Sequence, residues 1–210
     1  MYLPKYFQED RAEVLAPFLR AHPLGMLVTL DGGRPEVDHV PMLFEPGAGG
    51  AALLRGHVAR ANSVAKRAPD GTEVLVVFRG AQSYVTPNWY ASKRVDGKVV
   101  PTWNYSVVNV RGRIRWFDAP DRLRPLLDAL TAEHEAPRPA PWAVADAPPD
   151  YIAGMLGAIV GFEIAVDSMT GKFKASQNRD AADRAGVSRG LATDGVPAAD
   201  AAELVREPRT

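Results

Sequence analysis

The chain has 210 residues, 46% of them apolar, with 25 basic and 25 acidic side chains and no cysteine. That length supports one generous domain with a real core, or a domain plus a tail. The balanced charge argues against a broad electrostatic surface for nucleic acid, and the absent cysteines exclude disulfides, thiolate nucleophiles and Cys-ligated zinc.

Residues 10–21, "DRAEVLAPFLRA", place Val14, Leu15, Phe18 and Leu19 on one stripe of an amphipathic helix, with Pro17 predicting a kink or an early end. In "GMLVTLDGGRPEVDHVPMLFE" two apolar runs flank Asp31-Gly32-Gly33, the strongest hairpin signal in the chain. A third strand is expected at 51–56 after the "PGAGG" turn, then a short helix over 59–67. The run "TEVLVVFRG" (72–80) is apolar on both faces, as a central strand would be. Residues 87–104 read as irregular and aromatic.

"YSVVNVRGRIRWF" (105–117) alternates, with Tyr105, Val107, Asn109, Arg111, Arg113 and Arg115 on one face. Leu123, Leu126, Leu127 and Leu130 follow at helical spacing. The five prolines of 136–149 predict an extended loop. A short helix near 150–157 leads to the strand "IVGFEIAVD" (159–167), and "SMTG" predicts a turn. Residues 180–210 read as a helical tail, leaving 1–179 as the main domain. Strands outnumber helices and hairpin links outnumber crossovers, which predicts a mainly β (α+β) antiparallel barrel with peripheral helices.

No apolar run reaches the ~18 residues that span a bilayer. The N-terminus lacks the basic-then-apolar pattern of a secretory signal. The expectation is a cytoplasmic protein with no membrane association. The four histidines show no metal-ligand spacing, so no metal is expected. No dinucleotide or P-loop glycine motif is present, and no nucleophile elbow. "DAADRAGVSRGLA" (180–192) resembles a helix-turn-helix turn, but Gly190, Gly195 and Pro197 oppose a recognition helix.

Three stretches carry candidate chemistry. In "RGHVARAN" (55–62), Arg60 would enter the first turn of the short helix, with His57 as a further donor for an anion and Asn62 to orient it. The alternative is a solvated helix residue and an ordinary strand end. In "KFKASQNR" (172–179), Lys172, Lys174 and Ser176 would share one strand face, suited to phosphate. An edge whose lysines block strand-to-strand aggregation explains the same residues. Residues 83–105 hold two Trp and three Tyr, either a surface for a planar ring or a cover over the core.

Together "MYLPKYF", "GHVARAN", "YVTPNWY", "VPTWNY" and "KFKASQNR" resemble the PaiB family, in matching order over most of residues 1–190. Its members are described as FMN-binding negative transcriptional regulators with the split barrel of pyridoxamine-phosphate oxidase-like proteins. The resemblance implies a homodimer with FMN at the subunit interface. It implies cofactor contacts from His57, Arg60 and Asn62, from Trp103, Asn104 and Tyr105, and from Lys172, Lys174, Ser176 and Gln177. DNA or another regulator would be the partner, with the Arg111/Arg113/Arg115 face the best local candidate for backbone contacts. The second reading is an FMN-dependent oxidoreductase on the same site, the flavin carrying the chemistry.

Overall fold

The computed structural model describes residues 1–47 and 52–208. In chain order the elements are β1 (Gln8–Glu9), α1 (Ala12–Ala21), β2 (Leu24–Asp31), β3 (Arg34–Pro41), β4 (Leu43–Pro46), β5 (Ala52–Ala59) and α2 (Val64–Arg67). Next come β6 (Glu73–Val85), β7 (Thr102–Phe117), α3 (Pro120–Glu135), α4 (Pro149–Gly157), β8 (Ile159–Lys174), α5 (Ala181–Thr193) and α6 (Ala198–Leu204). The strands form one eight-stranded sheet in the order β3-β2-β6-β7-β8-β5-β4, with β1 paired to β8. Most of the predicted "PGAGG" turn lies outside the described residues.

The chain divides into two compact units, and each is built from separated segments. Unit 2 comprises Leu19–Phe78 and Asn109–Met169. Its β2–β3 hairpin closes through Gly32 and Gly33, at φ +56° and +86°, so that Asp31 faces Arg34. Two consecutive left-handed residues match the twist of the flanking strands, and glycine reaches that region without a Cβ penalty. Along β2, Gly25, Leu27 and Thr29 point inward while Leu24 and Leu30 stay exposed. In β6, Val74, Val76 and Phe78 are buried and Leu75 and Val77 are only half-buried. The run that reads as apolar on both faces is therefore a strand with one dominant core face. β7 keeps the predicted alternation, with Val108, Val110 and Ile114 buried. Leu123, Leu126 and Leu130 of α3 pack with Leu43 and Phe117 over the sheet.

The structure shortens the helix expected over 59–67 to Val64–Arg67. The Asn62 amide N–H closes a turn on the Ala59 carbonyl at 2.8 Å, and Asn62 Oδ1 accepts from the Val64 N–H at 2.9 Å. A side chain that satisfies the backbone locally starts the helix after itself.

Unit 1 comprises Met1–Phe18, Arg79–Val108 and the chain from Thr170 onward. The turn expected at "SMTG" is absent, and β8 runs through it to Lys174. β1 supplies the reason, pairing Gln8 with Lys172 and Glu9 with Gly171 across a separation that local sequence cannot show. Residues 180–208 send side chains into this unit's core. Val187, Leu191 and Leu204 pack with Val85 and Tyr90. The candidate helix-turn-helix turn, Gly186-Val187-Ser188, lies inside α5. Gly190, which argued against a helix here, seats it on Trp89 together with Gly186, where a Cβ would lie 1.9 Å from the Trp89 carbonyl oxygen.

Candidate functional site

The end of β8 brings one cluster of predicted residues together inside unit 1. Lys172 is 8% exposed. Its ammonium donates to the Tyr2 carbonyl at 3.0 Å and lies 5.7 and 5.4 Å from the ring centroids of Tyr2 and Tyr105. Lys174 Nζ donates to Thr102 Oγ1 at 2.5 Å and to the Trp103 carbonyl. Burial, then the Lys172 and Arg179 charges, pull the Lys174 ammonium below the ordinary lysine range. Among the described residues neither lysine forms an ion pair. Trp103 is 54% exposed and meets Tyr84 edge-on, with centroids 6.0 Å apart.

The strand ends one step sooner than the alternation predicts. Ser176 adopts φ +61°, a left-handed conformation that costs a non-glycine residue about 1–3 kcal/mol. The hydrogen bonds that hold it use up the predicted polar ligands. Asn104 Nδ2 donates to Ser176 Oγ at 2.8 Å and to the Leu204 carbonyl at 2.9 Å. Gln177 folds back, accepting from the Ala175 N–H at 2.8 Å and donating to the Phe173 carbonyl at 2.6 Å. Asn104, Ser176 and Gln177 are thus a buried, satisfied network that fixes the loop carrying the lysines. Ser176 does not share the Lys172/Lys174 strand face, because its backbone has left the strand.

His57, Arg60 and Asn62 belong to unit 2. Arg60 lies in the turn after β5, outside α2, and its guanidinium donates to the Gly157 carbonyl, the Ile159 carbonyl and Asp118 at 2.9, 3.1 and 3.2 Å. Asn62 Nδ2 donates to Asp38 Oδ1 at 2.8 Å, and Asp38 also accepts from Arg67 at 2.5 Å. Arg60 and Asn62 are thus both committed to protein partners. His57 differs: its Nδ1 is buried with no partner, and burial pulls its pKa below the ordinary histidine value.

Sequence reasoning passed over two residues that the fold places beside the lysines' loop. Arg179 ends "KFKASQNR", and its guanidinium carbon sits 4.4 Å from the Tyr90 ring centroid. Tyr90, from "YVTPNWY", is 2% exposed, and its hydroxyl has no hydrogen-bond partner. Their presence in two of the quoted motifs was the available signal.

The profile of the family described as "Putative FMN-binding domain" matches residues 1–168. The chain is 31% identical over 208 residues to the protease synthase and sporulation protein PAI 2 of Bacillus subtilis, covering 99% of this chain and 97% of that protein. It is 32% identical over 243 aligned positions to an uncharacterised protein of Emericella nidulans, again covering 99% and 97%. The structure of the FAD and heme binding protein from Mycobacterium smegmatis superposes with a TM-score of 0.57 at 19% identity, covering 80% of this chain and 73% of that one. The flavocytochrome Anf3 from Azotobacter vinelandii gives 0.55 at 15% identity, covering 82% and 72%. Those two likenesses concern the fold alone, an antiparallel α+β split barrel. No helix among the described residues is long and apolar enough to cross a membrane. FMN is the cofactor that the family description names, and the profile spans most of the chain while PAI 2 matches nearly all of it: this chain belongs to the FMN-binding domain family.

Proposed function

We propose that this chain is an FMN-binding regulator acting as a homodimer, with the flavin phosphate held by Lys172 and Lys174. The observation that carries the reading is the charge imbalance at the end of β8. Two ammonium groups and a guanidinium approach closely enough to depress Lys174, and no carboxylate pairs with either lysine among the described residues. A phosphate dianion is the partner such a set lacks. Trp103, Tyr84 and Tyr105 offer flat faces for the ring system. Asn104, Ser176 and Gln177 act one step back, fixing the loop so that the cations stay convergent. When bound, FMN supplies reversible redox chemistry. The protein's residues hold and orient it.

The dimer reading is supported by the outward face of the β2–β3 hairpin in unit 2. Leu24, Leu30 and Val37 are 56%, 59% and 48% exposed. They stand in register with Pro41, Pro35 and Val28. A contiguous apolar sheet face of this kind marks an association surface, and a second copy of the chain is the occupant the family resemblance implies. The name of the Bacillus subtilis relative refers to protease synthesis and sporulation, which supports a regulatory role over a metabolic one. DNA is the proposed partner, contacted through Arg111, Arg113 and Arg115.

The test is a titration of the purified protein with FMN, followed by flavin fluorescence. Wild type is expected to quench it. The Lys172→Ala/Lys174→Ala variant is expected to bind at least about 100-fold more weakly, since each charge-assisted bond contributes about 1.5–3 kcal/mol. Undiminished affinity would return these lysines to a purely structural role. Rapid bleaching of the bound flavin by NAD(P)H would move the reading to an oxidoreductase.

A further inference from the structure

We infer that Arg179 and Tyr90 form an oxyanion subsite, in which the guanidinium and the phenol hydroxyl grip a phosphate or carboxylate group flanked by Lys174. The flavin reading is not needed for it, because its test uses inorganic phosphate and reads the Tyr90 hydroxyl and the Arg179 guanidinium directly. Tyr90 is buried among Val85, Val187, Leu191 and Leu204, and its hydroxyl makes no hydrogen bond of ordinary geometry; Arg179 is the donor that approaches it. A buried hydroxyl is ordinarily satisfied, and an orphan marks a place where something binds. Arg179 lies against the same ring at 4.4 Å.

The Arg179 backbone is pinned on both sides. Its N–H donates to the Ser176 carbonyl at 2.9 Å, and its carbonyl accepts from Arg184 at 2.6 Å. Its side chain makes no ion pair among the described residues, so its planar fork of donors has no anionic partner there.

Among the described residues none of the nearby acids forms an ion pair with Arg179, although the buried Asp183 carboxylate acts on the Tyr90 phenol. Asp183 accepts from the Ser92 N–H and hydroxyl at 2.9 and 2.7 Å. Asp180 caps α5 through the Asp183 N–H at 2.7 Å, and Glu207 pairs with Arg184. Burial raises the Tyr90 pKa, more than Arg179 lowers it, so the phenol keeps its proton and serves as a donor. Burial depresses Lys174 most, and the Lys172 and Arg179 charges add to it, so Arg179 lies close enough to Lys174 for the two cations to repel.

The source of the oxyanion is the phosphate of FMN itself or an acid group on a second small ligand. Inorganic phosphate is the probe, titrated into the purified protein against chloride at matched ionic strength, with melting temperature and Trp fluorescence as readouts. Wild type is expected to gain stability with phosphate. Tyr90→Phe keeps the ring and its packing and is expected to weaken phosphate about tenfold, the loss of one hydrogen bond to a charged group. Arg179→Gln is expected to abolish the response, with Lys66→Gln as a distant control that leaves it intact. No response in wild type, or an equal response in both variants, overturns the inference. Competition then separates the sources. Displacement of phosphate by FMN but not riboflavin assigns the site to the cofactor's own phosphate, and phosphate that still binds at saturating FMN assigns it to a second ligand. A protein that binds phosphate here but no FMN would defeat the flavin reading and leave this site standing.

Discussion

Replacing Gly186 by alanine tests how the last fifth of the chain is built into unit 1. An added methyl would lie 1.9 Å from the Trp89 carbonyl oxygen, while ordinary contact begins at 3.4 Å. The obstacle is a backbone oxygen that cannot rotate aside, so α5 or the Pro87–Trp89 turn must retreat by about 1.5 Å. Overpacking of that kind costs about 1–3 kcal/mol, and alanine recovers up to about 1 kcal/mol of helix propensity. The net is a loss of about 1–2 kcal/mol, a fall in Tm of about 2–8 °C for a chain of this size. Gly154 in α4 is the matched control, because nothing lies within 4 Å of its would-be Cβ. Gly154→Ala is expected to raise Tm by about 1–4 °C, propensity acting alone. Circular dichroism melts of the two variants against wild type decide the matter. A Gly186→Ala protein that melts at or above wild type would refute the close seating of α5 on Trp89.

Other perturbations probe unit 2. Burial makes protonation of His57 harder in the folded protein than in the unfolded chain, so its folded pKa lies below the ordinary 6.5. The unfolded chain takes up that proton first as pH falls. The stability contributed by the neutral ring is present above 6.5 and is lost as pH drops from there through the lower folded value. Melting profiles of wild type and His57→Gln should therefore converge or cross in that acid window, and parallel profiles would remove His57 as a titrating contributor. Val37→Lys combined with Leu30→Glu should convert a dimer to monomer by sedimentation, whereas an unchanged mass would move the interface elsewhere. Arg111→Ala/Arg113→Ala/Arg115→Ala should lower the salt slope of DNA binding by about 3. In a gel shift, normal binding by that variant would eliminate the β7 face, where Arg111 already meets Glu73 at 3.6 Å and Arg113 donates to the Gly71 carbonyl.

Features written into neighbouring residues were legible in the sequence. The Asp31-Gly32-Gly33 hairpin, the alternation of β7 and the leucine stripe of α3 each rest on contacts a few residues apart. The misread segments were decided by distant partners. "SMTG" has the composition of a turn, but β1 holds it in the sheet from the other end of the sequence. Gly190 has the character of a helix breaker, yet its missing side chain leaves room for the Trp89 indole, whose atoms would lie 2.1 Å from a Cβ. The site was half visible for the same reason. Motif residues pointed to the loop after β8, but which of their polar groups the fold itself uses depends on hydrogen bonds that span the chain. Asn104 was consumed in holding Ser176, Gln177 in holding Phe173 and Ala175, and Asn62 in holding Asp38, whereas the Tyr90 hydroxyl kept no bond of ordinary geometry.

The interleaving of unit 1 has a consequence for how this protein is made. Its core needs strands from the middle of the chain, a β1 segment from the start and Leu204 from near the end. Unit 2 has all its residues once Met169 has been synthesised. Long sequence separations slow folding because loops must close before contacts reward them. A nascent chain can thus assemble unit 2 on the ribosome while the cationic corner that would receive FMN waits for α6. Losing even the last ten described residues would then act as a core lesion, leaving the Asn104 amide short of the Leu204 carbonyl and Gly80 without the Glu203 side chain that packs against it.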